Sequence, residues 1–130
     1  MEGDVDTQGS GFTTVTMEDV IGWDPEYVFM GWLNSTDVLT SNEQWAPVSA
    51  VKNGNVYLSP CSMGSGWEYA QENALDVMYM AKIMHPDLFE DLDIVAKIQE
   101  YYQKFWGVDL TDEQAQYMID RKGPQGQDRA

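Results

Sequence analysis

The stretch AVKNGNVYLSPCSMGSGWEYAQENALDVMYMAKIMHP, residues 50–86, decides the fold. Its residues 56–58, VYL, are β-branched, aromatic and aliphatic, which predicts a short buried strand. A glycine-rich aromatic loop follows, and residues 68–84 then predict one long helix that a histidine–proline pair ends. The apolar face of that helix is expected to contain Ala74, Met78 and Ala81.

The segments upstream predict further short elements. Thr16 offers an N-cap hydroxyl to a helix over residues 17–23, and the proline after Asp24 stops that helix. Residues 27–30, YVFM, carry no charge and predict a strand buried on both faces. Weaker signals predict an edge strand over residues 12–15 and a short helix over residues 36–41, with Ser35 as its cap. Residues 48–51 lead into a predicted tight turn at residues 52–55.

Two helices downstream have clear end signals. Asp93 caps a helix with apolar residues at helical spacing, and Gly107 fits its C′ position. Thr111 and Gln114 form a capping-box sequence for a last helix. Strands and helices alternate along the chain, so we predict an α/β layered domain with a mostly parallel sheet. Only two or three strands are convincing, so a further strand is expected upstream of residue 1 or from a partner chain.

The composition limits the size and kind of domain that this chain can form. A chain of 130 residues with 43% hydrophobic residues is long and apolar enough to bury one core. Residues 1–11 are polar and glycine-rich and predict a flexible lead-in, whereas residues 122–130 predict a disordered tail. The opening lacks the basic and apolar character of a signal peptide, and no apolar run approaches the roughly 20 residues that cross a bilayer. We therefore expect a cytosolic protein or a piece of a longer one.

The chain is strongly acidic, with 22 Asp and Glu residues, 7 Lys and Arg residues and a net charge of −15. Such a surface repels nucleic-acid phosphates and anionic lipid headgroups, which argues against nucleic-acid binding. It suits a cationic ligand or a basic protein partner. Solubility alone is the plainer explanation of the same charge.

Four segments, in this order, resemble the C-terminal lobe of the periplasmic solute-binding proteins that serve iron-siderophore, haem and cobalamin ABC importers. The segments are TMEDVIGWDPEYVFM (16–30), WAPVSAVKNGNVYLSP (45–60), GWEYAQENALDVMYMAKIMHPDLF (66–89) and YYQKFWGVDLTDEQAQYMI (101–119). The resemblance implies a three-layer, Rossmann-like lobe over residues 12–121, with a small, mostly parallel sheet flanked by helices.

In the family that the chain resembles, two such lobes joined by a long helix hold the ligand between them. The resemblance therefore implies that this chain lacks the N-terminal lobe, and that the exposed cleft face could pair two copies. It also implies a periplasmic or extracellular protein, membrane-associated at full length, that binds a metal-chelate small molecule and ABC permease subunits. Neither catalysis nor a cofactor is expected.

The expected ligand site lies in the loops after the two confident strands, since open α/β sheets bind ligands at the carboxyl ends of their strands. Exposed aromatic side chains there would offer flat apolar surface to a chelate. The alternative for the tryptophan of the second loop is packing against the core. The predicted ligand-binding residues are Trp67, Trp32, Met63, Tyr69 and Asn34.

Two further features bear on the ligand and the partner. Family members that bind carboxylate-rich siderophores commonly carry an arginine soon after the tryptophan, whereas residues 68–71 are EYAQ here. This departure favours a neutral or cationic chelate, a haem or a corrinoid; a positive charge supplied by the missing lobe is the alternative. In the same family a glutamate at the position of Glu18 meets arginines of the permease, which predicts permease docking. A helix-dipole role in the first turn is the alternative.

No catalytic or metal-binding residues are predicted. His85 lies at a helix C-terminus before a proline, where a histidine ordinarily caps the helix and pairs with its dipole. The sequence places no base that could activate Cys61. The acidic residues 87–93 lack the spacing of a calcium loop, and the phosphate-binding glycine motifs are absent. The alternative function is a stand-alone acidic domain that binds a basic protein partner.

Overall fold

The computed structural model describes residues 13–31, 33–62, 66–67 and 71–128. None of the helices in these ranges has both the length and the apolar character that a membrane span needs. In chain order the described elements are α1 (Met17–Trp23), β1 (Val28–Met30), α2 (Asp37–Thr40), α3 (Ser49–Lys52), β2 (Val56–Leu58), α4 (Asn73–Met84), a 3₁₀ turn (Pro86–Leu88), α5 (Ile94–Trp106) and α6 (Asp112–Ile119).

β1 and β2 pair in a two-stranded sheet. The N–H of Val28 donates to the carbonyl of Asn55 at 3.0 Å, and the N–H of Ser59 donates to the carbonyl of Met30 at 2.9 Å. Residue numbers rise together along the two strands, so the sheet is parallel. The predicted α/β class, with a small parallel sheet and flanking helices, is confirmed.

The strands are less covered than the sequence predicted. Val28 and Phe29 are half-buried, and of β1 only Met30 is buried. Both strands of a two-stranded sheet are edge strands, which explains the incomplete cover. Residues 13–15 of the predicted edge strand have no strand structure, and residue 12 lies outside the described residues.

Residue contacts divide the chain into two units: Met1–Val28 with Thr36–Tyr57, and Phe29–Ser35 with Leu58–Ala130. In the first unit, Asp24 ends α1 in the left-handed conformation (φ 42°). Its carboxylate accepts hydrogen bonds from the backbone N–H (2.7 Å) and hydroxyl (2.8 Å) of Ser49, the first residue of α3. No local sequence signal predicts α3, because its capping group lies 25 residues upstream.

The other helix of the first unit that was predicted has a different cap. Thr36, not Ser35, is the N-cap residue of α2, and it makes no side-chain capping bond. The predicted N-cap of α1, Thr16, is confirmed, and the structure adds a reciprocal bond from the backbone N–H of Thr16 to Asp19 that completes a capping box. The turn before β2 also forms, with Gly54 at φ 74°.

The second unit has the larger core, which α4, α5 and α6 build together with the loop after β2. The predicted caps are confirmed: Asp93 accepts from the N–H of Ala96, Gly107 closes α5 at φ 65°, and Thr111 forms a capping box with Gln114. The buried members of this core are Trp67, Leu75, Ile94, Ile98, Tyr102 and Ala115.

α4 differs from its prediction in start and in buried face. Residues 71–72 form a turn, and the helix begins at Asn73, while residues 68–70 lie outside the described residues. Leu75 and Asp76 are the buried side chains, and Ala74 is exposed. The buried face of α4 therefore contains a carboxylate and differs from the apolar face that the sequence predicts.

Residues 122–128, expected to be disordered, form a turn against the end of α6. The N–H of Lys122 donates to the carbonyl of Tyr117 at 2.7 Å, and the N–H of Gly123 donates to the carbonyl of Gln127 at 2.8 Å. Gly123 is buried, and a side chain there would collide with that of Gln127.

Candidate functional site

The candidate site is the loop between β2 and α4, residues 59–72, which we call the β2 loop. It leaves the carboxyl end of a parallel strand, where α/β sheets place ligands. The N–H of Trp67 donates to the carbonyl of Pro60 at 3.0 Å, and Cys61 and Gly66 form an antiparallel bridge. Residues 60–61 of the loop are therefore paired with residues 66–67.

The β2 loop is attached to two helices of the same unit. The N–H of Cys61 donates to the carbonyl of Met118 on α6 at 3.0 Å. The carboxylate of Glu72 accepts hydrogen bonds from the hydroxyl of Ser62 at 3.0 Å and from the phenol of Tyr102 on α5 at 2.7 Å. We call Glu72, Ser62 and Tyr102 the Glu72 junction.

The Glu72 junction is buried, with Ser62, Glu72 and Tyr102 only 5%, 6% and 8% exposed. A buried carboxylate is stable only when donors replace its lost hydration, which the two hydroxyls do here. Burial raises the pKa of the Tyr102 phenol, and the bond to the Glu72 carboxylate raises it further. The phenol therefore remains a donor at neutral pH.

A second polar cluster lies at the start of the β2 loop. The hydroxyl of Ser59 donates to the carboxylate of Asp76 at 3.5 Å, and the guanidinium of Arg121 donates to the carbonyl of Ser59. Asp76 is 1% exposed. Arg121 follows α6 in the left-handed conformation, φ 55°, which few residues other than glycine adopt.

Glu72, Asp76, Tyr102 and Arg121 are not among the residues predicted for the site. Carboxylates such as the first two are typical of the solvent-facing side of a helix. One signal was present: the carboxylates are four residues apart and flank Leu75, so all three can lie toward one side of the helix. That spacing alone does not tell a buried pair from a solvated one.

The predicted site residues have different outcomes. The predicted exposure of Trp67 is wrong: its side chain is 0% exposed and lies in the core of the second unit. Its indole Nε1 has no hydrogen-bond partner among the described residues. Asn34 is exposed after β1 and Glu18 is exposed in the first turn of α1. Trp32, Met63 and Tyr69 lie outside the described residues.

No metal-binding arrangement of side chains is present in the part of the chain that the structure describes. No cluster of three or more His, Cys, Asp or Glu side chains could hold an ion there. Cys61 is a free thiol that is 1% exposed. Asp93, one of the acidic residues after α4, has its carboxylate engaged in capping α5.

The fold of this chain is similar to parts of solved solute-binding proteins. A periplasmic solute-binding protein of Veillonella parvula has a TM-score of 0.70 and 27% identity, covering 88% of this chain and 36% of its own. An ABC transporter solute-binding protein of Sulfurospirillum deleyianum has a TM-score of 0.69 and 25% identity, covering 82% of this chain and 33% of its own.

A particular relative is the molybdate-binding protein MolA of Haemophilus influenzae. It is 29% identical over 100 residues, which make up 74% of this chain and 28% of MolA. The structure of MolA bound to molybdate has a TM-score of 0.59 and covers 78% of this chain. No protein-family model matches the chain. The chain thus spans about a third of the length of the proteins that it resembles.

Proposed function

We propose that this chain is one ligand-binding lobe, the C-terminal one, of the substrate-binding protein of an ABC importer, and that it has no chemistry of its own. One observation supports the proposal most: the chain is similar in both sequence and fold to the same periplasmic proteins. The β2 loop and the loop after β1 would form one wall of the cleft. A second lobe would supply the other wall.

The ligand proposed is a metal chelate, such as a ferric siderophore, a haem or a corrinoid. The net charge of −15 disfavours an anionic solute; the β2 loop also contains one buried carboxylate, Glu72, and bonds through Ser59 to a second, Asp76. A neutral or cationic chelate suits these charges best. The second candidate is molybdate, which the similarity to MolA favours.

The proposed protein works in the periplasm and delivers its ligand to ABC permease subunits. Glu18 would contact the permease, since its carboxylate is exposed in the first turn of α1. The face that the second lobe would cover could pair two copies of the isolated chain. The alternative, a stand-alone acidic domain with a basic protein partner, predicts binding to that partner without any small molecule.

Calorimetric titration of the complete gene product tests the ligand proposal. Ferric siderophores of different charge, haemin, cobalamin and sodium molybdate would be added in separate experiments at fixed ionic strength. We expect saturable binding of a neutral or cationic chelate. Binding of molybdate alone would select the second candidate, and no binding of any solute would refute the proposed function.

Replacement of Glu18 tests the docking proposal. Glu18→Ala in the complete gene product should lower uptake of the ligand into cells while its affinity in solution stays the same. Glu43→Ala is the matched control, because it removes another exposed carboxylate from the same unit. Equal uptake by the two variants would contradict a docking role for Glu18.

A further inference from the structure

We infer that the groove between α4 and α5 binds a monocarboxylate with an elongated apolar body, such as a fatty acid. The groove lies within the second unit and has a volume of about 700 Å³, a size at which pockets hold small organic molecules. The inference goes beyond the proposed function and does not depend on it. The side chains that give the groove its apolar surface are Ala74, Leu75, Met78, Tyr101, Phe105 and Trp106.

An aromatic surface lies open along one side of the groove. Phe105 and Trp106 are 64% and 55% exposed, and the ring of Phe105 lies 5.0 Å from that of Tyr101, centroid to centroid. Leu75 is buried at the bottom of the groove, and Met78 packs half-buried against the same core. Single exposed apolar residues are ordinary, whereas a contiguous apolar patch marks a binding surface.

The groove is elongated because its lining follows α5. Its lining residues on that helix extend from Lys97 to Trp106, nine residues on, which is about 14 Å along the helix axis. Lys97, Tyr101 and Lys104 recur at steps of four and three residues, so they lie on one side of the helix. An apolar chain lying along α5 can therefore contact the aromatic rings while its end reaches a lysine.

One positive charge of the groove is not neutralised by a neighbour. The Lys97 ammonium lies 2.7 Å from the carboxylate of Glu100, so these two charges compensate each other. The Lys104 ammonium lies 5.5 Å from the centre of the Phe105 ring, and no carboxylate among the described residues is within ion-pair distance of it. A single carboxylate complements this arrangement. The net charge of −15 opposes it little, since charges more than about 8 Å away are largely screened at physiological ionic strength.

Calorimetric titration of the complete gene product with decanoate, decan-1-ol and decyltrimethylammonium, each below its micelle concentration, tests the charge argument. Decanoate should bind saturably and about fivefold more tightly than the alcohol, and the cation should bind more weakly than the alcohol. Lys104→Gln should weaken decanoate binding by about fivefold and leave alcohol binding unchanged. Lys52→Gln is the matched control, because it removes an exposed lysine of the first unit.

A substitution that fills the groove tests its location. Ala74→Trp should weaken the binding of both decanoate and decan-1-ol by about tenfold or more, because the indole occupies the space of the ligand. Val77→Trp is the matched control, since Val77 is 59% exposed on the same helix and does not line the groove. If Ala74→Trp fails to fold by circular dichroism, Phe105→Ser replaces it. That side chain is mostly exposed, so the fold should survive its loss while both ligands bind about fivefold more weakly.

Three results would overturn the inference. The first is that decanoate does not bind, and the second is that it binds equally well to Val77→Trp and to the groove variant. The third is that sedimentation shows a dimer that the groove variant dissociates and decanoate does not, which would assign the groove to a second copy of the chain. None of these titrations contains a metal chelate or molybdate, so their outcome is separate from that of the proposed function.

Discussion

Trp67 is the largest of the completely buried side chains in the described structure, which makes its replacement a quantitative test. Trp67→Ala removes the indole from a core that it shares with Leu75, Ile98 and Tyr102. Truncation of a buried tryptophan to alanine costs about 3–5 kcal/mol, through lost apolar transfer and the cavity that remains. A domain is stable by only about 5–15 kcal/mol, so this variant should lose from about a fifth to nearly all of that stability.

Urea denaturation followed by far-UV circular dichroism measures this loss. Trp106→Ala, which truncates an indole that is 55% exposed in the same unit, should lose about 1 kcal/mol or less. Trp67→Phe should fall between the two, because it keeps an aromatic ring and removes an N–H that has no partner among the described residues. Equal midpoints for Trp67→Ala and Trp106→Ala would refute the burial of Trp67 and restore the interpretation of an exposed ligand wall.

Two further predictions concern the ends of helices. The hydrogen bonds from the backbone N–H and hydroxyl of Ser49 lower the pKa of Asp24, so the stabilisation from this carboxylate is present above about pH 3.9, the unfolded value, and is lost as pH falls through the folded pKa. Ser49→Ala should raise the pKa of Asp24 part of the way back in an NMR titration, and an unchanged titration would exclude the hydroxyl as a cause. Gly107→Ala should destabilise the chain by about 1–2 kcal/mol in urea, because φ is 65° and no neighbour lies near the added carbon. Gly22→Ala, inside α1 and equally open, should stabilise instead, and the same sign for both glycine variants would contradict the backbone explanation.

Local signals in the sequence predicted the helix ends and the strands well. Thr16, Asp93, Gly107 and the pair Thr111–Gln114 all cap as expected. A cap joins residues at most a few positions apart, so the information needed to predict it lies inside one short segment. Residues 56–58 form β2 as predicted for the same reason.

Long-range contacts explain what the sequence analysis missed. α3 depends on the carboxylate of Asp24, 25 residues away, and the Glu72 junction depends on Tyr102, 30 residues away. The two carboxylates of α4 look like solvent-facing residues until hydroxyl donors from other segments make their burial possible. Periodicity alone therefore assigned the wrong buried face to this helix.

The sequence by itself determined the alternation of strand and helix, the helix caps, the strong acidity and the position of the β2 loop along the chain. All of these depend on residue type and on neighbours within about one helical turn. Only the tertiary structure decided that Trp67 packs inward and that the carboxylate of Glu72 is buried with hydrogen bonds from Ser62 and Tyr102. Whether a large indole or a carboxylate is buried depends on side chains that are distant in the sequence, and local residue patterns do not identify those neighbours.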